Sequence, residues 1–455
     1  MSPTRLIDVG NGAESLLRIV ITDGARQYKY IALSHRWVTE NEACSLTSDN
    51  IHTYTNREGA GIRLEQLPKT FQDAVTITRG LGIQYLWIDS LCIIQKDKAD
   101  WELEAGRMES VFSGAYCTIA ASSTDTDGVG FLGDRKPRPC IALELQHRRL
   151  YLCKAIDNFQ RDVEEIVLNR RGWVLQERAL SQRTTHFTSH QIYWECGEGI
   201  HCETLSKLKH SKSQILGDAD FPNSALKYYR DDRIESFQLL YGMYSRRDFT
   251  KPTDRSMGLL GLERRLARTF KTEGEFGILK RYVQRSLLWE RQPAVHLKPI
   301  TYRKNQRVPS WSWMAYTGGI TYLKPHFGSV SWKDDSIRLK FGTIPSSDTT
   351  QTRGERLPPA MEALSSLIST SFDLIGIKTR VSLDQGPIED SMWSSLRCVI
   401  LGSDKDHDKS ESTHYAMIIR PIQSDSERHI YRRFGVGSLL DSHISKGAGE
   451  WVWIR

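Results

Sequence analysis

The feature of this sequence that most constrains the fold is an alternation of apolar runs and amphipathic segments between residues 30 and 122. The runs at 30–34, 85–94 and 116–122 are apolar almost throughout, as buried strands of a parallel sheet are. The segments between them repeat their apolar residues every three to four positions, as helices do. The order strand, helix, strand, helix, strand predicts an α/β fold with a parallel sheet covered by helices on both faces.

The boundaries of the two helices are also marked in the sequence. The first is predicted to begin after Leu67-Pro68 and to end at the glycines Gly80 and Gly82. The second is predicted as one continuous helix over residues 98–115.

The rest of the chain shows weaker patterns. We expect a lead-in strand or hairpin over 1–27, a strand or hairpin over 141–153, a short helix over 173–180 and a strand over 185–195. Helical periodicity dominates 223–292, including 258–270 and 278–289, and short strands follow from 309. We therefore predict a first domain over 1–215 and a mixed helical and β region over 216–455. Two polar stretches, 344–358 and 403–413, are predicted as exposed loops.

Composition excludes several classes of protein. Of the 455 residues, 39% are hydrophobic and 26% are charged, which excludes collagen, a coiled-coil rod and a wholly disordered chain. No window reaches about 18 consecutive apolar residues, and the first residues lack an apolar signal core, so we expect no membrane partner and a cytoplasmic location. The net charge of +7 is spread along the chain, and we expect no nucleic-acid partner.

Common catalytic motifs are absent from the sequence. It contains no P-loop, no dinucleotide glycine fingerprint, no HExxH and no GxSxG. This argues against NTPases, zincins and ordinary α/β hydrolases.

Polar residues follow two of the predicted strands. Ser34, His35 and Arg36 come at the end of the first strand, and Asp89 and Ser90 come at the end of the second, where the run 85–94 passes from strand into a turn. Ligands of open α/β sheets bind at the carboxyl ends of the strands, so these groups are candidates to bind a polar or anionic ligand. The alternative is that Ser34 and Asp89 only cap turns or helices.

Two glutamates lie on apolar helical faces, Glu104 and Glu177. Partial burial raises the pKa of a carboxylate unless a cation or a hydrogen-bond donor pairs with it. The structural alternative is a buried ion pair with a nearby arginine, which would lock the fold. The neighbouring arginines are Arg107, Arg170, Arg171, Arg178 and Arg183.

A dense group of potential metal ligands follows: His186, His190, Cys196, His201 and Cys202. Their spacing matches no standard zinc pattern. On one strand His186 and His190 would be about 13 Å apart, too far to share an ion. We therefore predict no metal site.

Several strings of the sequence together resemble the heterokaryon-incompatibility (HET) domain family of filamentous fungi. The strings are Tyr30-Ile-Ala-Leu-Ser-His-Arg-Trp37, Leu67-Pro-Lys-Thr-Phe-Gln-Asp-Ala74, Tyr85-Leu-Trp-Ile-Asp-Ser-Leu-Cys-Ile-Ile-Gln95, Met108 through Ala121, and Arg171-Gly-Trp-Val-Leu-Gln-Glu-Arg-Ala-Leu-Ser181. The chain departs from the family in two places, since His35 replaces the common tyrosine and Val38 stands where glycine is frequent.

The resemblance implies a fold and an activity. HET domains are regarded as similar to TIR domains, whose sheet is flavodoxin-like, and many TIR domains cleave NAD with a glutamate in a Trp-x-x-x-Glu setting. Trp173-Val-Leu-Gln-Glu177 fits that spacing. The resemblance thus implies Glu177 as the catalytic carboxylate, with Glu104 as the runner-up, and NAD as a substrate rather than a permanently bound cofactor.

The remaining candidate residues follow from this chemistry. Arg36 is a candidate to hold the pyrophosphate, Trp37 or Trp173 to stack on a ring, and Ser34 is a further candidate for binding the nucleotide. His35 and Asp89 are candidate acid/base groups.

Three functions remain open at this stage. The first is a fungal self/non-self recognition and cell-death protein of innate immunity that cleaves NAD and needs self-assembly or a protein partner. The second is a non-catalytic signalling and assembly module in which Glu177 is a structural ion-pair partner. The third is an enzyme of a secondary-metabolite pathway, with His35, Asp89 and Glu177 around a reshaped pocket for a nucleotide or metabolite.

Overall fold

The computed structural model describes the following residues: 2–10, 12, 16–24, 26–37, 44–56, 58–123, 129–135, 140–145, 148–208, 215–216, 218, 220–227, 230–303, 308–326, 328–341, 360–368, 380–386, 388–405, 411–422, 429–445 and 447–455. Val38 and the predicted loop 344–358 therefore lie outside the described residues, as do 406–410 of the loop predicted over 403–413.

The chain forms two compact units. The first comprises Met1–Ser224 and Met257–Leu262, and the second comprises Ala225–Ser256 and Glu263–Arg455. The domain boundary predicted near 215 follows residues 209–214, which are not described, and it stays a prediction.

The first unit is built on a ten-stranded sheet. Its strands are β1 (Arg5–Asp8), β2 (Leu16–Ile21), β3 (Tyr30–Ser34), β4 (Ile62–Arg63), β5 (Tyr85–Trp87), β6 (Cys117–Ala120), β9 (Arg183–Phe187), β10 (Ile192–Cys196), β11 (Gly199–Cys202) and β12 (Lys207–Leu208). Their spatial order is β12-β11-β10-β9-β6-β3-β5-β1-β2-β4. A separate exposed hairpin consists of β7 (Cys140–Leu145) and β8 (Arg148–Cys153).

The middle of this sheet is parallel. β3 pairs in parallel with β5 on one side and with β6 on the other, and β6 pairs in parallel with β9. All residues of β3 and β6 are buried, which explains their apolar sequences. The outer strands pair antiparallel, with β1 and β2 as the expected lead-in hairpin. The α/β prediction is therefore confirmed, but the sheet is mixed rather than wholly parallel.

Helices connect the strands. In the first unit they are α1 (Ile51–Thr55), α2 (Lys69–Gly80), α3 (Asp89–Cys92), α4 (Lys98–Ala105), α5 (Met108–Gly114), α6 (Val167–Arg170) and α7 (Gly172–Leu180), with a π-helical turn at Gln160–Glu164 and a 3₁₀ turn at Leu64–Gln66. The predicted helices at 67–81 and 173–180 correspond to α2 and α7.

Two expectations about the first unit were wrong in detail. The helix predicted over 98–115 is broken at Gly106, a poor helix former, after which the Arg107 amide donates to a carbonyl only three residues back. The strand in the run 85–94 ends at Trp87, so Asp89 and Ser90 follow its end as expected, in the short helix α3. The run 185–195 is a hairpin, whose turn is held by Thr188 and Gln191.

The second unit is mostly β structure after two helices, α8 (Arg230–Ser245) and α9 (Leu260–Thr269), the latter divided between the units at Leu262. Its remaining elements are β13 (Gly274–Glu275), β14 (Ile278–Leu279), α10 (Val283–Ser286), β15 (Trp289–Arg291), β16 (Lys298–Pro299), β17 (Tyr316–Thr317), β18 (Ile320–Tyr322), β19 (Val330–Trp332), β20 (Ile337–Lys340), β21 (Ala360–Leu367), β22 (Arg380–Leu383), α11 (Asp390–Trp393), β23 (Arg397–Asp404), β24 (Thr413–Pro421), β25 (Ile430–Leu440) and β26 (Glu450–Ile454). The helix expected over 278–289 is instead a short strand, a 3₁₀ turn and the single turn α10.

Eight of these strands form one sheet, in the order β19-β23-β24-β25-β26-β21-β20, with β22 paired to β25 and β21 also paired to β23. One face of this sheet packs the main core of the unit, which includes Trp311, Met361, Met417 and Val452. The expected strand character after residue 309 is confirmed.

Candidate functional site

The candidate site lies where β3 ends. Ser34 is the last residue of β3, its carbonyl accepts a bond from the Ala121 amide after β6, and His35 follows directly. α7 places Glu177 close enough to Ser34 for the hydroxyl to affect the pKa of the carboxyl group. Parallel pairing brings the ends of β3 and β6 to one edge of the sheet, which is why these residues meet.

Glu177 has an unusual electrostatic state. Its residue is 9% exposed, and burial raises the pKa of its carboxyl group to about 7. The Ser34 hydroxyl lowers that pKa, the Asp89 charge raises it, and the Arg171 guanidinium lowers it. Glu177 is therefore poised to gain or lose a proton near neutral pH.

Buried polar atoms without partners occur on Glu177 and on the segments at the ends of β3, β5 and β6. Within the part of the chain that the structure describes, the buried atoms without a hydrogen-bond partner include Ser34 Oγ, His35 Nε2, Ser90 Oγ, Ser122 Oγ and Glu177 Oε2. Although the Ser34 hydroxyl influences Glu177, neither Ser34 Oγ nor Glu177 Oε2 makes a bond of normal geometry. Since buried polar groups are nearly always satisfied in folded proteins, the unpartnered atoms of the neighbouring Ser34 and Glu177 indicate a place where a polar ligand or water completes the bonding.

Asp89 forms the more open side of the group. Its side chain is 29% exposed, and its carboxylate accepts bonds from Trp37 Nε1 at 2.5 Å and from the Ser90 amide at 2.7 Å. His35 Nε2 lies 3.7 Å from Asp89 Oδ1, beyond hydrogen-bond distance. Asp89 is thus held in place by Trp37 while the facing His35 nitrogen stays unbonded.

His35 is buried against Phe71, with the ring centroids 5.0 Å apart. Burial lowers the pKa of the imidazole, the Asp89 charge raises it, and Arg171 lowers it. The ring is therefore neutral at pH 7, and it can accept or donate a hydrogen bond but carries no charge.

Arg171 is a site residue that sequence reasoning placed in a different role. The sequence offered it only as an ion-pair partner of Glu177. In the structure its Nη1 donates to the His35 carbonyl at 2.7 Å. It thereby fastens the start of α7 to the chain after β3 and contributes positive charge to the site. Its position two residues before the Trp-x-x-x-Glu string is a signal that a sequence search could use.

The other arginines near Glu177 have different partners. Arg178 binds both oxygens of Glu195 at 2.6 Å and Glu164 Oε1 at 2.6 Å, and all three residues are buried. Arg183 donates to the Tyr116 carbonyl. Among the described residues, the ion pairs do not include Glu177, so the structural alternative for this glutamate is not realised.

Glu104, the runner-up, has a structural environment. Its Oε1 accepts a bond from Thr4 Oγ1 at 2.6 Å, and Arg107 Nη1 lies 3.7 Å away. Burial raises its pKa, while the Thr4 bond lowers it. These contacts fasten α4 to the start of the chain.

The structure brings some of the other candidates together and separates others. Ser34, His35, Trp37, Asp89 and Glu177 form one group. The Trp173 ring instead packs edge-to-face on Trp101, with centroids 6.2 Å apart, and Arg36 is half-buried next to His35. The roles assigned to these residues stay predictions.

The potential metal ligands are not assembled. In the described parts of the chain no three His, Cys, Asp or Glu residues are placed to share an ion. His186 is buried and its Nε2 lies 2.9 Å from Glu195 Oε2, while His190 lies in the turn after β9 rather than on the same strand.

A comparison with models of known protein families finds a match. Residues 30–177, about a third of the chain, match the model of the family described as heterokaryon incompatibility protein (HET). The matched segment begins with β3 and ends at Glu177. No curated protein and no solved structure matches the chain.

None of the helices in the described ranges has the length and apolar character needed to span a bilayer.

Proposed function

We propose that this chain, whose residues 30–177 match the model of the heterokaryon incompatibility (HET) family, acts in fungal self/non-self recognition and cell death by cleaving NAD at the nicotinamide–ribose bond. The observation that carries the proposal is the carboxyl group of Glu177, which is buried, has an unpartnered oxygen and lies near Ser34 at the end of β3.

The arrangement of the parallel strands supports a TIR-like reading of the domain. Numbered along the chain as β3, β5, β6 and β9, they lie in the order second, first, third, fourth. That is the beginning of the flavodoxin-like order, in which the ligand binds between the first and third strands. Ser34 ends the first of these strands and Ser122 follows the third, so both unpartnered hydroxyls are at the expected ligand position.

The chemistry of nicotinamide release requires a carboxylate in such surroundings. When the C–N bond breaks, its electron pair moves to the pyridinium nitrogen and the ribose becomes oxocarbenium-like. A carboxylate beside that carbon stabilises the developing positive charge, more strongly where water is excluded. Water then adds to the ribose carbon, and Glu177 accepts the proton that this water loses.

The raised pKa of Glu177 fits both steps. A pKa of about 7 means that the free carboxyl group is about half ionised at neutral pH. The positively charged nicotinamide ring favours the ionised form, so substrate binding supplies the charge that the reaction uses. In this proposal Ser34 and Arg36 hold the pyrophosphate, and Asp89 accepts a hydrogen bond from a ribose hydroxyl. Trp37 keeps Asp89 in position.

The experiment is the release of nicotinamide from NAD by the purified full chain, followed by chromatography over a range of protein concentrations that allows self-assembly. We expect the Glu177→Gln variant to lose at least about a hundredfold in rate, as expected when a principal electrostatic group is removed. Glu104→Gln is the matched control, because it changes another buried glutamate of the same domain, and it should retain activity if it folds.

Two results would overturn the proposal. One is a wild-type chain that releases no nicotinamide at any concentration or assembly state. The other is a folded Glu177→Gln variant with unchanged activity. Either result would favour a non-catalytic assembly module or an enzyme acting on another metabolite.

A further inference from the structure

The second unit contains a cleft of about 370 Å³, within the size range of small-molecule sites. Its lining is rich in positive charge, with three arginines against one carboxylate. The charged residues are Arg246, Arg247, Asp248 and Arg255. Apolar walls are provided by Phe249, Pro252 and Val295.

Arg255 is the residue that distinguishes this cleft from an ordinary surface groove. It is 2% exposed, and its Nη2 donates to the carbonyls of Ser245 at 2.9 Å and Gly318 at 3.1 Å. Its Nε is buried without an acceptor, and no bond of its Nη1 is seen among the described residues. The guanidinium lies over the Trp313 ring at 5.3 Å.

The positive charge of Arg255 has no carboxylate partner within ion-pair distance in the described residues. Burial lowers the pKa of its guanidinium to about 10, while Tyr244 and Tyr302 raise it. A charge removed from water is costly unless an opposite charge compensates it. Arg433 of the same unit shows the usual solution, since its Nε donates to Asp384 Oδ2 at 3.1 Å.

Two glycines, Gly318 and Gly319, form part of the backbone that lines the cleft. Gly318 has a φ of +113°, which disfavours other residues. A Cβ on Gly319 would approach the Gln292 side chain to 2.7 Å. When the Gln292 amide is oriented with its oxygen toward Arg246, that oxygen accepts hydrogen bonds from Arg246 Nη2 at 2.5 Å and from Arg246 Nε at 2.7 Å. These bonds orient the Arg246 guanidinium at the cleft.

We propose that this cleft binds a small phosphoryl-bearing anion, either free phosphate or a phosphate monoester, with Arg255 at its base and Arg246 at its mouth. The guanidinium groups of Arg255 and Arg246 together match the charge of a phosphate dianion better than that of a single carboxylate, and guanidinium groups suit its oxygens. The apolar walls accommodate the organic part of an ester. This site is independent of NAD cleavage.

The test is isothermal titration calorimetry of the full chain with inorganic phosphate and with glycerol 3-phosphate at fixed ionic strength, with glycerol and acetate as comparison ligands. We expect saturable binding of a phosphoryl ligand, no binding of glycerol and weaker binding of acetate. Tighter binding of the ester than of phosphate would identify an organic phosphate as the ligand. Tighter binding of phosphate would identify the free ion.

Variants test the two arginines separately. Arg255→Met and Arg246→Gln should each weaken binding at least about tenfold, since each removes hydrogen bonds from a charged donor. Arg246 is exposed, so its variant is expected to fold even if Arg255→Met does not. Arg338→Gln, an exposed arginine of β20 that does not line the cleft, is the control and should leave binding unchanged.

The proposal is overturned if the wild-type chain shows no saturable binding of either phosphoryl ligand. It is also overturned if acetate binds as tightly as phosphate, or if folded Arg246→Gln binds like the wild type. Nicotinamide release does not enter any of these outcomes.

Discussion

Glu177 and Arg178 are neighbours on α7, and both are buried, yet their surroundings differ completely. Arg178 binds Glu195 through two nitrogens and Glu164 through a third. Glu177 keeps an oxygen without a partner and has no ion pair among the described residues. Adjacent positions of α7 therefore carry an arginine whose ion pairs are complete and a glutamate without an ion pair. The glutamate is the one near the end of β3.

The difference shows how the fold treats the two charges. Burial alone raises the pKa of Glu195, but Arg178 and His186 outweigh it and bring that pKa down to about 2. Glu177 has no comparable compensation, so its pKa rises to about 7. A buried carboxyl group can escape the cost of its charge by binding a proton, and this makes Glu177 responsive to pH and to ligands.

The second unit repeats the contrast with arginines. Arg433 is buried against Asp384 and also donates to the Leu287 carbonyl at 2.6 Å. Arg255 is equally buried, but its hydrogen bonds within the described residues go to two carbonyls. An arginine cannot lose its proton near neutral pH, so an unpaired one is relieved only by an anion from outside.

The largest effect is expected from breaking the completed network of the first unit. Arg178→Met leaves Glu164 and Glu195 buried without their cation, so we expect a loss of about 3–5 kcal/mol in the free energy of unfolding. Urea denaturation at pH 7 measures it. A loss below about 1 kcal/mol in the free energy of unfolding would mean that the ion pairs of Arg178 add little stability. The paired and unpaired charges of α7 would then not differ in energy as we propose.

The paired and unpaired arginines of the second unit should differ in the same way. Arg433→Met leaves Asp384 buried without its cation and should cost about 3–5 kcal/mol. Arg255→Met, measured without phosphate, leaves no buried carboxylate unpaired and should cost much less. Urea denaturation of both variants makes the comparison, and equal losses would contradict it.

Glu177 should make the protein less stable as the pH rises. Its folded pKa of about 7 lies above the ordinary value of 4.5, so between these values the folded state binds more protons than the unfolded state. Stability is then lost from about pH 4.5 to pH 7, by about 3 kcal/mol in total at about 1.36 kcal/mol per pH unit.

Glu177→Gln removes this titration and should gain stability over the wild type at pH 8 but not at pH 4.5. Urea denaturation of both proteins at the two pH values gives the result as a difference of differences, which cancels the other titrating groups. Equal pH dependence in the two proteins would show that Glu177 is paired in solution.

The position of this site could be predicted from the sequence, but the partners of its charged side chains could not. Ser34 could be assigned to the ligand-binding edge because apolar runs identify parallel strands, and parallel strands end together. Glu177 could be assigned to the site only through the resemblance of Trp173-Val-Leu-Gln-Glu177 to a Trp-x-x-x-Glu setting. Which arginine binds which glutamate could not be assigned, because Glu164 and Glu195 reach Arg178 from a π-helical turn and from β10. The contact of Arg171 with the His35 carbonyl spans more than a hundred residues and has no local signature.

The same limit applies to secondary structure. The break at Gly106 and the turn between Thr188 and Gln191 interrupt apolar patterns that continue on both sides, so periodicity alone extends the helix and the strand through them. Hydrogen bonds to particular backbone groups decide these points, and they depend on the folded chain.

The smallest effect is expected at Asp89, a partly exposed carboxylate that lies between the paired and the unpaired buried charges in its surroundings. Trp37→Phe keeps an aromatic ring but removes the 2.5 Å bond from Nε1 to the Asp89 carboxylate. Because Asp89 is partly exposed and keeps its bond from the Ser90 amide, we expect a loss of only about 1 kcal/mol in unfolding free energy. A double-mutant cycle with Asp89→Asn measures the coupling. A coupling near zero together with unchanged nicotinamide release would show that Trp37 does not position Asp89, and the site would then reduce to Ser34, His35 and Glu177.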